Sequence, residues 1–189
     1  FGSSMEIIFV EGNSTDDTWQ KMQALPQQFP EWNIRIAQQE GKGKGDAVRK
    51  GFSMAKGDIL MILDADLTVA PEDLPAFYDA IAGGKGDFIN GARLVYPMEK
   101  NAMRFLNLLG NKFFSLLFSW LLEQPVRDTL CGTKVIFKED YQKLIDNRHF
   151  FGNFDPFGDF DLIFGAYKLN LKIVDLPVRY HERKYGDTN

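Results

Sequence analysis

The sequence predicts an α/β fold in which a mostly parallel central sheet carries helices on both faces. Short apolar runs rich in Ile, Val and Leu, with the length of buried strands, alternate with helix-length segments over most of the 189 residues. Parallel strands need crossover connections, and helices commonly provide them. The apolar content of 44% is enough for one sizeable core, so we expect a single domain over residues 1–189.

Each strand is predicted from an apolar run that ends at a polar or glycine-containing turn. The predicted strands cover residues 6–10, 32–37, 58–63, 87–93, 133–138 and 171–178. The helices are placed by their end signals: Ser14 or Thr15 caps the first, Gly57 follows the second and Pro71 opens the third. The predicted helices cover residues 16–29, 46–55, 71–82, 99–122, 139–146 and 158–169.

Two aspartates, Asp64 and Asp66, directly follow the buried strand predicted over 58–63. In open α/β sheets, ligands bind beyond the C-terminal ends of the strands. Two carboxylates one residue apart repel each other unless a cation or hydrogen-bond donors share them. Mg²⁺ and Mn²⁺ prefer such oxygen ligands and can also hold a diphosphate. The pair therefore predicts a metal and diphosphate site, although two aspartates can also simply cap the turn that follows.

A second candidate site is the glycine-rich loop over 41–45, in which Lys42 and Lys44 alternate with glycine. Glycine lets the backbone approach a ligand closely, and lysine supplies positive charge for phosphates. An ordinary solvated loop has the same composition, so both interpretations stay open.

Four segments in this order carry a family resemblance: the polar turn at 11–18, the loop at 41–47, the motif at 64–66 and the tail at 179–188. Together they resemble the family 2 glycosyltransferases of GT-A fold, and within them most closely the dolichyl- or polyprenyl-phosphate sugar synthases. The resemblance implies metal-dependent, inverting transfer of a hexose from a UDP- or GDP-sugar to a polyprenyl phosphate. The family's usual first strand is missing, so we expect a GT-A sheet without it and a chain that is a fragment of a longer one.

The resemblance also implies a donor site. Glu11 falls where the family has an aspartate near the nucleotide base, and Asp64 falls where a residue faces the ribose or the metal's water shell. Asp66, with Asp64, is expected to hold the Mg²⁺ or Mn²⁺ that grips the diphosphate. In the tail, Arg183 and Thr188 match an arginine motif that closes over the diphosphate.

On the acceptor side, the resemblance places Arg93 and Arg104 where basic residues meet the acceptor phosphate, and Asp128 beside the reaction centre. Asp159 and Asp161 fall where the family carries acidic residues near the acceptor. A phosphate acceptor is already anionic and needs positioning by arginine more than it needs a base. A sugar hydroxyl would need a carboxylate base, for which Asp161 is the candidate. A soluble saccharide acceptor therefore stays open as an alternative.

Composition and charge restrict which binding partners and which cellular compartment are expected for the chain. The net charge of −4 argues against nucleic-acid binding through a basic surface. Cys131 is the one cysteine, which argues against a disulfide framework and for a reducing compartment. The apolar segment at 105–122 contains Asn107 and Lys112, which favours an interfacial or core helix over a membrane span. We expect a cytoplasmic chain, peripheral at the inner membrane face, with 105–122 as its membrane contact.

Two interpretations from other classes stay open. One is a non-catalytic module that binds nucleotide sugars or lipid and lost catalysis with the missing first strand. The other is a nucleotidyltransferase of similar architecture. Such an enzyme would need an N-terminal glycine-rich signature with Arg or Lys, which the sequence does not show.

Overall fold

The computed structural model describes residues 5–93, 105–121, 123–147 and 158–181. Its strands are β1 Glu6–Glu11, β2 Asn33–Gln38, β3 Ile59–Met61, β4 Phe88–Ala92, β5 Lys134–Phe137 and β6 Ile173–Pro177. Its helices are α1 Thr18–Gln28, α2 Lys44–Met54, α3 Leu74–Ala82, α4 Phe105–Leu121, α5 Lys138–Asp146 and α6 Asp159–Lys168, with a 3-10 turn at Pro71–Asp73 before α3. The predicted alternation of strands and helices is confirmed, because every predicted element overlaps one of these.

The strand pairing is mixed rather than mostly parallel. β1 pairs in parallel with β2, and the other four strands form a sheet in the order β3-β5-β4-β6. β4 and β6 are parallel, but β5 lies antiparallel to both of its neighbours. The reason is the position of the loop before β5: Asp128 accepts a hydrogen bond from the amide of Arg93, just beyond β4. β5 therefore starts at the edge where β4 ends and runs back along it.

The first helix begins later than the sequence predicts. Asp17 is the N-cap residue of α1, so the cap predicted at Ser14 or Thr15 is wrong. The amide of Ser14 instead donates to the carboxylate of Glu11, which holds residues 11–14 in a tight turn. The chain can enter the helix only after that turn is complete.

The core lies on both faces of the four-stranded sheet, because neighbouring residues of a strand point to opposite sides. Phe88 of β4 and Ile136 of β5 belong to a cluster that also contains buried side chains of α2, α5 and α6. Ile89 and Val135, one position away on the same strands, belong to a second cluster with buried side chains of α3. Helices therefore cover both faces of the sheet, as the fold class requires.

Helix α4 buries one side and leaves large apolar residues on the other. Phe118 packs edge-on against Phe160 and Phe164 of α6. The exposed large apolar residues of α4 are Phe113, Phe114, Leu116, Leu117, Trp120 and Leu121. Over the described parts of the chain, every helix is too short or too polar to cross a membrane.

Candidate functional site

The end of β3 and the start of α2 meet through an ion pair. The ammonium Nζ of Lys44 lies 2.8 Å from Oδ1 and 3.1 Å from Oδ2 of Asp64. α2 begins at Lys44, ahead of the predicted residue 46, because Gly43 supplies the left-handed turn (φ 82°) that precedes the helix. The structure thus brings together one residue from each of the two candidate phosphate sites that the sequence predicts, the motif at 64–66 and the loop at 41–45.

The charge on Lys44 is maintained by two carboxylates. Burial opposes the positive charge, but attraction to Asp159 and Asp64 outweighs burial, so the pKa of the Lys44 ammonium is raised above its ordinary value. The side chain of Asp64 is 38% exposed and that of Lys44 is 28% exposed. The pair is therefore a charged feature that solvent and ligands can reach.

Asp66 stabilises the turn that follows it. The amide and the hydroxyl of Thr68 donate to Oδ1 of Asp66 at 3.1 and 2.8 Å. Leu67 between them has a φ of 53°, which the two hydrogen bonds help to hold. Asp66 thus caps the turn, as the alternative interpretation of the motif expects, and its role as a metal ligand stays a prediction.

The donor atoms at this edge fit a hard cation held jointly with a diphosphate. Asp64 and Asp66 offer carboxylate oxygens, which Mg²⁺ and Mn²⁺ prefer. Within the described ranges, no group of three or more His, Cys, Asp or Glu side chains comes together in a way that could hold a metal. Mg²⁺ commonly binds through one or two carboxylates together with water and substrate phosphates, so two carboxylates fit such a cation.

A second ion pair lies beneath the first. Nζ of Lys134 is 2.8 Å from Oδ1 of Asp159, and Oδ2 of Asp159 is 3.8 Å from Nζ of Lys44. The side chain of Lys134 is only 1% exposed, and it also donates to the carbonyl of Cys131. Sequence analysis missed Lys134, although a lysine that begins an otherwise apolar strand is a signal, because lysine is almost never buried unless it is paired.

Arg93 and Asp128 form a buried, two-pronged pair at the end of β4. Nε and Nη2 of Arg93 donate to the two carboxylate oxygens of Asp128 at 2.6 and 2.8 Å. Burial opposes the charge on Arg93, but the hydrogen bonds that Arg93 donates to Asp128 and the attraction to that carboxylate outweigh burial and raise the pKa of the guanidinium. The ring of Tyr180 lies 5.1 Å from the guanidinium carbon. The two predicted catalytic residues thus bind each other, and their roles in catalysis stay predictions.

Glu11 ends β1 beside the end of β2. Its carboxylate accepts hydrogen bonds from the amide of Ser14 and from Nε2 of Gln38, and these bonds lower the pKa of Glu11. The neighbouring Gln39 is 7% exposed, and among the residues that the structure describes its Oε1 finds no hydrogen-bond partner. A polar edge of this kind suits a ligand with N–H donors, so the predicted role of Glu11 near a nucleotide base remains open.

The remaining predicted residues are dispersed. Lys42 is exposed in its loop. Asp161 lies in the first turn of α6 and lines a small cavity against α2 and α5, together with Val48 and Tyr141. The other predicted site residues, Arg104, Arg183 and Thr188, lie outside the described residues.

Comparison with known proteins assigns the family. The family model described as Glycosyl transferase family 2 matches residues 2–149, which is more than half of the chain. The chain therefore belongs to glycosyltransferase family 2.

Two curated relatives have related names. A dolichol-phosphate mannosyltransferase of Pyrococcus furiosus is 39% identical over 94 residues, which are 50% of this chain and 26% of that protein. A dolichyl-phosphate beta-glucosyltransferase of Dictyostelium discoideum is 22% identical over 192 residues, which are 95% of this chain and 56% of that protein. The chain thus spans only about half the length of the relative that it matches from end to end.

Solved structures confirm the fold class. A glucosyl-3-phosphoglycerate synthase of Mycobacterium tuberculosis, in complex with Mn²⁺, UDP and glucosyl-3-phosphoglycerate, superimposes with a TM-score of 0.67 and 19% identity. The match covers 96% of this chain and 62% of that one. The solved structures that match this chain are GT-A glycosyltransferases, so the GT-A fold expected from the sequence is correct.

Proposed function

We propose that this family 2 chain carries the donor-binding and transfer machinery of an inverting hexosyltransferase. Its donor is a UDP- or GDP-sugar, its acceptor is a polyprenyl phosphate, and Mg²⁺ or Mn²⁺ assists the departure of the nucleoside diphosphate. The observation that carries the proposal lies just beyond β3, where the carboxylate of Asp64 pairs with the ammonium of Lys44 and Asp66 holds the turn that follows.

The charges of Lys44, Asp64 and Asp66 are complementary to those of a metal-bound diphosphate. When bound, the metal would sit on the carboxylates of Asp64 and Asp66 and neutralise the leaving diphosphate. Lys44 adds a fixed positive charge at the same edge, and Glu11 closes the neighbouring edge with a carboxylate that can accept an N–H from a base. We also assign donor roles to Lys42 and to Arg183 and Thr188 of the tail.

The acidic residues favour a phosphate acceptor over a sugar hydroxyl. A hydroxyl acceptor needs a carboxylate that can take its proton. Each oxygen of Asp159 faces a lysine ammonium and both oxygens of Asp128 accept from Arg93, so these two carboxylates are already engaged and Asp161 stays the candidate base. A phosphate needs no such base. The relatives named for dolichyl or dolichol phosphate support the same acceptor class.

The exposed face of α4 supports a location at a membrane surface, as a lipid acceptor requires. Leu116 and Trp120 are 73% and 77% exposed and lie one helical turn apart. Apolar side chains of this kind, with tryptophan among them, are typical of helices that lie in the lipid–water interface. We propose that this chain associates peripherally with the cytoplasmic face of a membrane through 105–122. The fraction of the protein that sediments with lipid vesicles should fall several-fold in the double variant Leu116→Ser with Trp120→Ser. An unchanged fraction would refute the membrane contact.

The first test is calorimetric titration of UDP and GDP into the chain, each with and without Mn²⁺. We expect one nucleotide to bind only with the metal, and Asp66→Ala to abolish this binding. The matched control is Asp79→Ala, which removes an exposed aspartate of helix α3. Absence of metal-dependent binding in the folded chain would contradict the proposed donor site.

A second test separates the acceptors. Transfer from UDP-glucose and from GDP-mannose is measured with dolichyl phosphate in detergent micelles, with unphosphorylated dolichol and with 3-phosphoglycerate. We expect product with dolichyl phosphate alone, and Asp161→Asn to retain the rate. Product with the soluble acceptor 3-phosphoglycerate that disappears in Asp161→Asn would instead support transfer to a hydroxyl group with Asp161 as the carboxylate base.

A further inference from the structure

Four charged side chains form a continuous line from the interior to the candidate donor site. Lys134 contacts Asp159 at 2.8 Å, Asp159 approaches Lys44 at 3.8 Å, and Lys44 contacts Asp64 at 2.8 Å. The exposed fraction of the side chains rises along this line, from 1% at Lys134 and 7% at Asp159 to 28% at Lys44 and 38% at Asp64. The signs alternate, so each inner charge is compensated before the line reaches the surface.

The inner end of this line is anchored by the fold. Lys134 is on β5 within the sheet and also donates to the carbonyl of Cys131, so its ammonium is fixed from two sides. Asp159 is in the first turn of α6, directly after Gly158, which has a φ of 73°. A Cβ on Gly158 would approach the Cα of Gly45 to 2.7 Å, so the starts of α6 and α2 are packed together. Asp159 therefore has little freedom to move relative to Lys44.

The position of Lys44, toward the outer end of the line, depends on Asp159 at its inner end. A lysine side chain has four rotatable bonds, and an exposed ion pair with one carboxylate holds it only weakly. Lys44 has a second carboxylate on its inner side, at Asp159. Without that carboxylate, Asp64 would be the one counter-charge left to the ammonium among the described residues, and the ammonium could turn toward solvent.

We propose that Asp159 is a positioning residue of the donor site, which acts through Lys44 and not as a base. Anchored by Lys134, Asp159 keeps the ammonium of Lys44 beside Asp64 and so maintains a fixed positive charge for the diphosphate. This inference rests on the proposed function for the identity of the ligand. The link from Asp159 to Lys44 is a property of the chain itself and can be tested without any ligand.

The ligand-free test is the rate at which acetic anhydride acylates individual lysines, read by mass spectrometry of chymotryptic peptides. In the unmodified chain, Lys44 should react several-fold more slowly than the exposed Lys42 in the same peptide. Asp159→Asn should raise the rate at Lys44 at least threefold and leave Lys42 unchanged. The matched control is Asp140→Asn, which removes a first-turn aspartate of α5 that is paired with Lys143. An unchanged rate at Lys44 would overturn the proposal.

Asp159→Asn leaves the buried Lys134 without its counter-charge, and such a change can prevent folding. The variant that removes both charges, Lys134→Met with Asp159→Asn, avoids this cost and should show the same rise at Lys44. If Lys44 stays protected in the folded double variant, Asp159 does not hold it and the proposal fails.

The functional test is a double-mutant cycle on metal-dependent nucleotide binding. Asp159→Asn should weaken binding about tenfold when Lys44 is present, and less than about twofold in a Lys44→Met background, because the two residues act as one unit. A merely structural role would cost the same factor in both backgrounds and would refute the inference. If the unmodified chain binds neither UDP nor GDP, the proposed function fails, while the acylation result still decides whether Asp159 positions Lys44.

Discussion

The substitution Gly132→Ala should damage the candidate donor site while sparing the fold. Gly132 lies in the loop before β5, against the pair formed by Lys44 and Asp64. A Cβ at this position would lie 1.9 Å from Oδ2 of Asp64 and 2.3 Å from Nζ of Lys44. Ordinary contact begins near 3.4 Å, so the carboxylate must retreat by the difference, about 1.5 Å.

The two consequences of that displacement differ in size. The pair is partly exposed, so its disturbance should cost at most about 1 kcal/mol of folding free energy. A misplacement of about 1 Å can cost about 100-fold in rate where a site orients reacting groups. By analogy, we expect the metal-dependent nucleotide affinity to fall by about tenfold to 100-fold. Binding should therefore be lost in a chain whose thermal unfolding is nearly unchanged.

The assay is calorimetric titration of the bound nucleotide beside thermal unfolding of the same sample. Gly110→Ala is the matched control, because the methyl group that it adds to helix α4 would meet no atom of the described residues beyond its own helix backbone within 4 Å. That control should bind normally and gain about 0.5–1 kcal/mol of stability, since alanine favours the helix. Wild-type affinity in Gly132→Ala would refute the claim that the pair of Lys44 and Asp64 belongs to the donor site.

Three further predictions concern buried or hydrogen-bonded groups. Asp128→Asn should lower the free energy of unfolding by about 3–5 kcal/mol in denaturant titration, because it leaves the guanidinium of Arg93 buried without its counter-charge. The control Asp146→Asn, at an exposed position, should cost less than about 1 kcal/mol. A loss that small for Asp128→Asn would contradict the prediction. Burial raises the pKa of the Cys131 thiol to about 11, so iodoacetamide should fail to alkylate the native chain near pH 8 and should react after denaturation; rapid alkylation of the native chain would show that the thiol is accessible. The pKa of Glu11 is lowered in the folded chain, chiefly by the Ser14 amide, so its carboxylate contributes stability above the ordinary value of 4.5 that is lost as pH falls through the folded pKa. The difference in unfolding free energy between the unmodified chain and Glu11→Gln should therefore be constant near neutral pH and should shrink as the pH falls into the acid range. A difference that does not depend on pH would contradict the assignment.

The sequence by itself determined the order and type of the elements. Strand-length apolar runs and helix-end signals are local, so β3 with Asp64 after it, and α2 after the glycine-rich loop, could be located without any knowledge of packing. The family resemblance added the GT-A fold, which the solved structures confirm. The local rules failed at the start of α1, where the N-cap residue is Asp17 and the amide of Ser14 donates to the carboxylate of Glu11 in the turn before the helix.

Tertiary structure decided the direction of β5 and the pairing of the charges. Alternation along a chain shows that strands are connected by helices, but the direction of β5 depends on where its preceding loop is held, here by Asp128 at the end of β4. The line from Lys134 through Asp159 and Lys44 to Asp64 joins residues from four separate segments of the chain. Sequence patterns report periodicity within a segment, whereas an ion pair depends on distances between segments, which are set only when the core packs.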